Sequence, residues 1–143
     1  MSEAPTRDAS VIVAIDDARK VAILSAHFPR HGGDYLFLPG GRRESDEGAS
    51  ACARRELKEE AGVTADRWKH LGSYAMTVAS IARVDLFLAQ DLALGQQQLT
   101  DTEQDFKLEW WPLHDAITAA EQGRFLLPAG PLALLLAERT IDG

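Results

Sequence analysis

No apolar run in the 143-residue chain approaches the ~20 residues needed to span a bilayer as a helix. The first ten residues, Met1 to Ser10, are polar and lack the apolar segment of a signal peptide. A single cysteine, Cys52, excludes an internal disulfide and fits a reducing, cytoplasmic setting. Basic charge is also short: 15 Lys and Arg stand against 22 Asp and Glu, a formal net charge of −7. Such a surface repels nucleic acid and anionic membrane, so neither is an expected partner. A protein of this charge that handles a phosphate compound must place positive charge locally, through a few Arg and Lys or through a metal ion. A surface that merely keeps the chain in solution is the alternative reading.

What is present is ordinary globular material. Apolar residues make up 45% and charged residues 26%, which argues against wholesale disorder. The length suits one domain with a real core. Residues 1–9 read as a loose leader and 10–143 as a single domain, with no repeat, low-complexity tract or linker. Val11, Val13 and Ile15 alternate as a strand does, Asp16-Asp17 marks a turn, and Val21 to Ala26 completes an expected hairpin. A loop from His27 to Asp34 leads to the short strand Tyr35–Leu38, stopped by Pro39-Gly40-Gly41. Ala49 to Ala61 is rich in helix formers, with Gly62 where a C-terminal cap belongs. Strands are expected near Trp68–Met76 and Ile81–Ala89, then a polar loop from Leu94 to Gln104 and an outer strand from Phe106 to Trp111. Pro112 opens a helix to about Gln122, and a last helix runs from Pro131 to Arg139. The order predicts an α+β sandwich with the sheet in the middle.

The chemistry concentrates in the first helix. Glu56, Glu59 and Glu60 stand at i, i+3 and i+4, within an arc of about 100°. Like charges so placed cost a few tenths of a kcal/mol per pair unless something neutralises them. A hard divalent cation does so with oxygen ligands. A solvated helix face is the bland alternative. Against it, Ala49, Ala53, Leu57 and Ala61 form the apolar stripe, and Glu56 and Glu60 flank that stripe, away from Arg54 and Lys58. Carboxylates turned toward the protein body need partners.

The surrounding spacing is more specific. It runs Gly41, five spacers, Glu47, seven spacers, Arg55-Glu56-Leu57, one spacer, Glu59-Glu60, one spacer, Gly62-Val63. This segment resembles the Nudix box without a gap, a match whose chance probability is on the order of 10⁻⁹ per start position. The resemblance implies the Nudix fold, an α/β/α sandwich around a central mixed β-sheet. It also implies a hydrolase that cleaves a nucleoside diphosphate linked to another moiety, with water attacking phosphorus and Mg²⁺ or Mn²⁺ as cofactor. By the family's pattern, Glu56 and Glu60 are direct metal ligands, Glu59 is a ligand or base, and Glu47 is a supporting ligand. The Gly40 carbonyl is a further ligand, and Arg55 orients a box carboxylate. In many relatives a glutamate from a late loop is the general base; Glu103 is the candidate, with Asp101 and Asp105 behind it, and a solvated acidic loop is the alternative. Asp85–Ala89, Leu108–Leu113, and Gly123 followed by a Leu-rich helix are similar to ADP-ribose pyrophosphatases. The alternatives are a housecleaning nucleoside triphosphate pyrophosphohydrolase and a non-catalytic nucleotide-sensing module. Relatives commonly form homodimers, so a second copy of the chain is a candidate partner.

Arg30 and Arg42 flank the strand that leads into the box and are candidates for phosphate contact, with plain surface charge as the alternative. Cys52 reads as a packed residue, since no His lies nearby in sequence to activate it. His27, His31, His70 and His114 form no metal spacing. Trp110 and Trp111 must face opposite ways on a strand, so at most one reaches a given pocket, and core packing is their simpler role.

Overall fold

The computed structural model describes residues 7–143. Its elements in chain order are β1 (Ala9–Ala14), β2 (Lys20–Phe28), β3 (Gly33–Phe37), β4 (Gly40–Arg42), α1 (Ala49–Ala61), β5 (Val63–Ala75), β6 (Arg83–Leu94), β7 (Lys107–Pro112), α2 (Leu113–Glu121) and α3 (Ala129–Asp142). Single 3₁₀ turns at Pro29–His31 and Asp101–Glu103 punctuate the loops. The strands form two sheets, a mixed one in the order β4-β1-β6-β5 and an antiparallel one in the order β3-β2-β7.

Strand alternation builds the layers. In β1, Ile12 and Ala14 face one way and Val13 the other; in β6, Phe87 and Ala89 oppose Leu86 and Leu88. The first set buries against Ala53, Leu57 and Ala61 of α1. The second buries against Ala133, Leu134 and Ala137 of α3. Leu113, Ala116 and Ala119 of α2 join that second core, with Val21 and Ile23 of β2. Helices on both faces of the sheets give the expected α/β/α sandwich. Leu57 is fully buried, and truncating such a side chain to Ala costs roughly 2–5 kcal/mol.

One expectation needs correction. β1 and β2 are not a regular hairpin: the single bridge Ile15↔Val21 lies just beyond the end of β1, and the two strands belong to different sheets. Each is an interior strand whose two edges are bonded to other strands, β1 to β4 and β6, β2 to β3 and β7. The turn between them does form, with Asp16 Oδ1 accepting the Ala18 and Lys20 amides at 2.9 Å. β5 starts at Val63, earlier than expected, because Gly62 passes helix directly into strand, and α3 extends beyond both expected ends.

Residues 1–6 of the expected leader lie outside the described residues. Of the rest, Asp8 is tied to the sheet: its carbonyl accepts the Arg43 amide at 2.8 Å and its Oδ1 the Arg83 amide at 2.9 Å. Among the described residues, no helix is long and apolar enough to cross a membrane.

Candidate active site

Helix α1 presents the side chains that its periodicity predicts. Cys52, Ala53, Glu56, Leu57, Glu60 and Ala61 are its buried positions, and Glu56 and Glu60 are only 8% and 4% exposed. A backbone amide meets one of these carboxylates: Gly40 N–H donates to Glu60 Oε1 at 2.8 Å. Gly40 and Gly41 bring β4 close enough for this. A Cβ on Gly41 would stand 2.5 Å from Glu56 Oε1, and one on Gly40 would collide with the Ser10 carbonyl. Cys52 is buried, its Sγ 3.4 Å from the Gly41 carbonyl, and burial pushes its thiol pKa up, as suits a packed residue and not a nucleophile.

Arg55 gathers the remaining box carboxylates. Its Nε and Nη2 donate to Glu47 at 2.7 and 2.9 Å, and its Nη1 donates to Glu56 at 3.0 Å and Glu59 at 3.3 Å. Nη2 also donates to the Arg42 carbonyl at 3.1 Å, and Glu44 Oε1 lies 2.9 Å from Nε. The hydrogen bond from Arg55 holds the Glu47 carboxyl down to about 2, and Arg55's own pKa is raised, first by Glu47.

Glu56 and Glu60 go the other way. Burial pushes Glu56 up to about 7, against the opposing pull of Arg55. Burial pushes Glu60 up to about 9, against the Gly40 amide, while Glu56 and Glu103 repel its charge. Glu103 thus joins the site from the loop after β6, where it closes the 3₁₀ turn. The Thr100 amide donates to its Oε1 at 3.1 Å, and Thr100 caps the same turn in return. That loop rests on the end of α1: the amides of Gly95 and Gln98 donate to the carbonyls of Gly62 and Glu59 at 2.6 Å, and Gln97 Nε2 donates to the Glu60 carbonyl at 2.8 Å.

The structure therefore brings Glu56, Glu60 and Glu103 into mutual electrostatic reach, while Glu47, Glu59 and Glu56 itself are bonded to the Arg55 guanidinium. Asp101 and Asp105 are exposed. Arg30 and Arg42 are exposed, and among the described residues neither side chain has an ion pair or hydrogen bond. Trp110 and Trp111 face different cores, as alternation requires, with Arg124 stacked 5.3 Å over the Trp111 ring. His27 and His70 pair with Asp34 and Asp85, each at 2.8 Å.

No group of three His, Cys, Asp or Glu side chains among the described residues is already arranged to hold a metal ion. The donor chemistry nevertheless fits a hard divalent cation. Two neighbouring carboxyls, Glu56 and Glu60, are buried without enough positive charge to ionise both, and they offer the oxygen donors that Mg²⁺ and Mn²⁺ prefer.

Three residues escaped the sequence reading. Glu44 carries no sequence signal that separates it from its neighbours. Asp85 does, as an acidic residue inside the apolar run Val84–Ala89, and it is paired with the third, Arg43, at 3.2 Å.

The fold, the gapless box and the buried carboxylates together define a Nudix-type hydrolase. The NUDIX domain profile matches residues 5–129, and the chain belongs to that family as a Nudix pyrophosphohydrolase. Among solved structures, the chain is similar to an ADP compounds hydrolase at 26% identity and a TM-score of 0.84, covering 97% of this chain and 75% of that one. It also shares its fold with a MutT structure described for the psychrophile Aliivibrio salmonicida and the mesophile Vibrio cholerae, at 17% identity and a TM-score of 0.68, covering 93% of this chain and 98% of that one. No curated protein sequence matches the chain.

Proposed function

We propose that the chain hydrolyses the pyrophosphate of a nucleoside diphosphate linked to a second moiety, ADP-ribose being the first compound to test. The observation that carries this reading is the buried pair Glu56 and Glu60 with Glu103 beside it, a concentration of acid that suits a cation and an anionic substrate. The likeness to an ADP compounds hydrolase supports the substrate class.

In this reading Glu56 and Glu60 hold the metal, with the Gly40 carbonyl beside them and Glu47 and Glu59 in support. Mg²⁺ or Mn²⁺, when bound, polarises phosphoryl oxygens and acidifies water. Gly40 N–H keeps Glu60 turned inward, and Arg55 fixes the rotamers of Glu47, Glu56 and Glu59. Glu103 is the general base, with Glu59 as the other candidate. It takes a proton from the water whose oxygen attacks phosphorus; the bridging P–O bond breaks, and two phosphomonoesters leave. Arg30 and Arg42, exposed and without partners among the described residues, are the phosphate contacts of this reading. The free, buried thiol of Cys52 is in keeping with a cytoplasmic setting.

The test is product analysis after incubation with Mg²⁺ and a nucleotide panel. ADP-ribose giving AMP and ribose phosphate supports the proposal. Preference for a triphosphate with release of pyrophosphate overturns the substrate class, and turnover of nothing overturns hydrolysis in favour of a sensing module.

A further inference from the structure

The chemistry above leaves one buried charge unexplained. Asp85 lies near the start of β6, beside the apolar run Leu86–Ala89, and is 7% exposed. Both of its oxygens are engaged: Oδ2 accepts from Arg43 Nη2 at 3.2 Å, and Oδ1 lies 2.8 Å from His70 Nε2. Arg43 is further fixed by Asp8, whose carboxylate lies 3.6 Å from Nη1 and whose carbonyl accepts the Arg43 amide at 2.8 Å. Its Nε is buried without a partner, so the two carboxylates set its orientation, not a full set of hydrogen bonds.

The position of Arg43 in the chain gives this contact its meaning. The residue before it, Arg42, offers its carbonyl to Arg55 Nη2 at 3.1 Å, and the residue after it, Glu44, meets Arg55 Nε at 2.9 Å. Arg43 thus pins the centre of a three-residue segment that touches Arg55 on both sides. Next to Asp85 in the sheet register stands Ser10, fully buried, whose hydroxyl donates to the carbonyl of Ala49, the first residue of α1, at 2.9 Å. The same patch of sheet therefore holds both the box loop and the start of the helix.

We infer that Asp85 is a positioning residue for the box, acting through Arg43 on segment 42–44 and through that segment on Arg55. The inference rests on the hydrolytic reading of the box. A guanidinium with four carboxylate neighbours, Glu44, Glu47, Glu56 and Glu59, has several arrangements of similar energy. The anchored segment selects the one that forks Glu47 and leaves Nη1 for Glu56 and Glu59. Partners behind the reacting groups typically contribute about 10- to 100-fold when they orient a metal site.

The test reads Arg55 directly and activity separately. The Arg55 Nε–H signal is followed by NMR in metal-free protein, assigned by its disappearance in Arg55→Lys. Asp85→Asn is expected to speed its exchange with water about tenfold, to lower kcat about tenfold and to leave KM within about twofold. On the Arg55→Lys background the same change is expected to cost almost nothing further, because both variants act through one group. Arg43→Gln leaves Asp85 paired with His70 and is expected to behave alike, which keeps the test open if Asp85→Asn fails to fold. An unchanged Arg55 signal in either variant overturns the inference. So do losses that multiply with that of Arg55→Lys, since they would mark a tie that only stabilises the sheet. A wild-type protein that turns over nothing sinks the hydrolytic reading alone, and the Arg55 signal still decides the positioning role.

Discussion

The Arg55 guanidinium meets the Glu47 carboxylate as a fork, Nε 2.7 Å from Oε2 and Nη2 2.9 Å from Oε1. A planar donor pair fits this geometry, and a lysine ammonium on a flexible stem does not. Arg55→Lys keeps the charge and loses the fork, so kcat is expected to fall by about tenfold or more. Steady-state kinetics at saturating Mg²⁺ check this, and an unchanged kcat would remove Arg55 from the list of organising groups.

The carboxyls of the site predict a pH profile for the stability of the metal-free protein. Glu56 and Glu60 titrate above their ordinary 4.5, at about 7 and about 9, so the folded state keeps protons that the unfolded state has released. Stability tied to them is complete below pH ~4.5 and is lost as pH rises through both values. Glu47, held down to about 2, has the opposite sign: its contribution is present above pH 4.5 and is lost as pH falls toward 2. In chelator, Tm is therefore expected to fall between about pH 6 and pH 9, less steeply in Glu60→Gln and less steeply with Mg²⁺ present. A metal-free Tm that rises over this range would contradict the burial of these two carboxyls.

Gly62 turns α1 into β5 with the loop after β6 packed against its backbone, a place with no room for a side chain. Its φ is +69°, and a Cβ there would stand 2.6 Å from the carbonyl carbon of Gln96. Gly62→Ala is expected to cost at least ~1–2 kcal/mol from the backbone alone, measurable by urea unfolding. Because the displaced loop carries Glu103, kcat is expected to fall as well. Wild-type kcat in a destabilised Gly62→Ala protein would separate the loop from catalysis.

Glu103→Gln separates base from ligand. With Glu103 as the base, turnover falls by about 100-fold or more while Mn²⁺ affinity, read by titration, is retained or raised. Weakened Mn²⁺ binding would instead make Glu103 a ligand.

The helix and its buried glutamates are legible in the sequence because a 3.6-residue period fixes faces, and the apolar stripe Ala53, Leu57, Ala61 says which face is inward. Strand partners are not legible in the same way. Alternation in β1 and β2 marks them as strands but is silent on which edges bond, so adjacency in the chain is read as a hairpin where two sheets stand. The turn at Glu103 is encoded locally, as Thr100 three residues before Glu103, whereas its approach to Glu60 depends on the docking of the loop on Gly62. Asp85 inside an apolar strand signals a buried partner, but Arg43 lies 42 residues away along the chain, and no local pattern names it.

Turnover by Glu60→Gln at saturating Mg²⁺ tests the account most directly. Glu60 is the most buried carboxylate of the box, and the amide variant keeps its shape while removing the charge that would hold the cation. The expected result is a kcat lowered by about 100-fold or more, roughly 3 kcal/mol of transition-state stabilisation, in a protein that still folds. Near-normal turnover at saturating Mg²⁺ would contradict the assignment of Glu60 as a metal ligand.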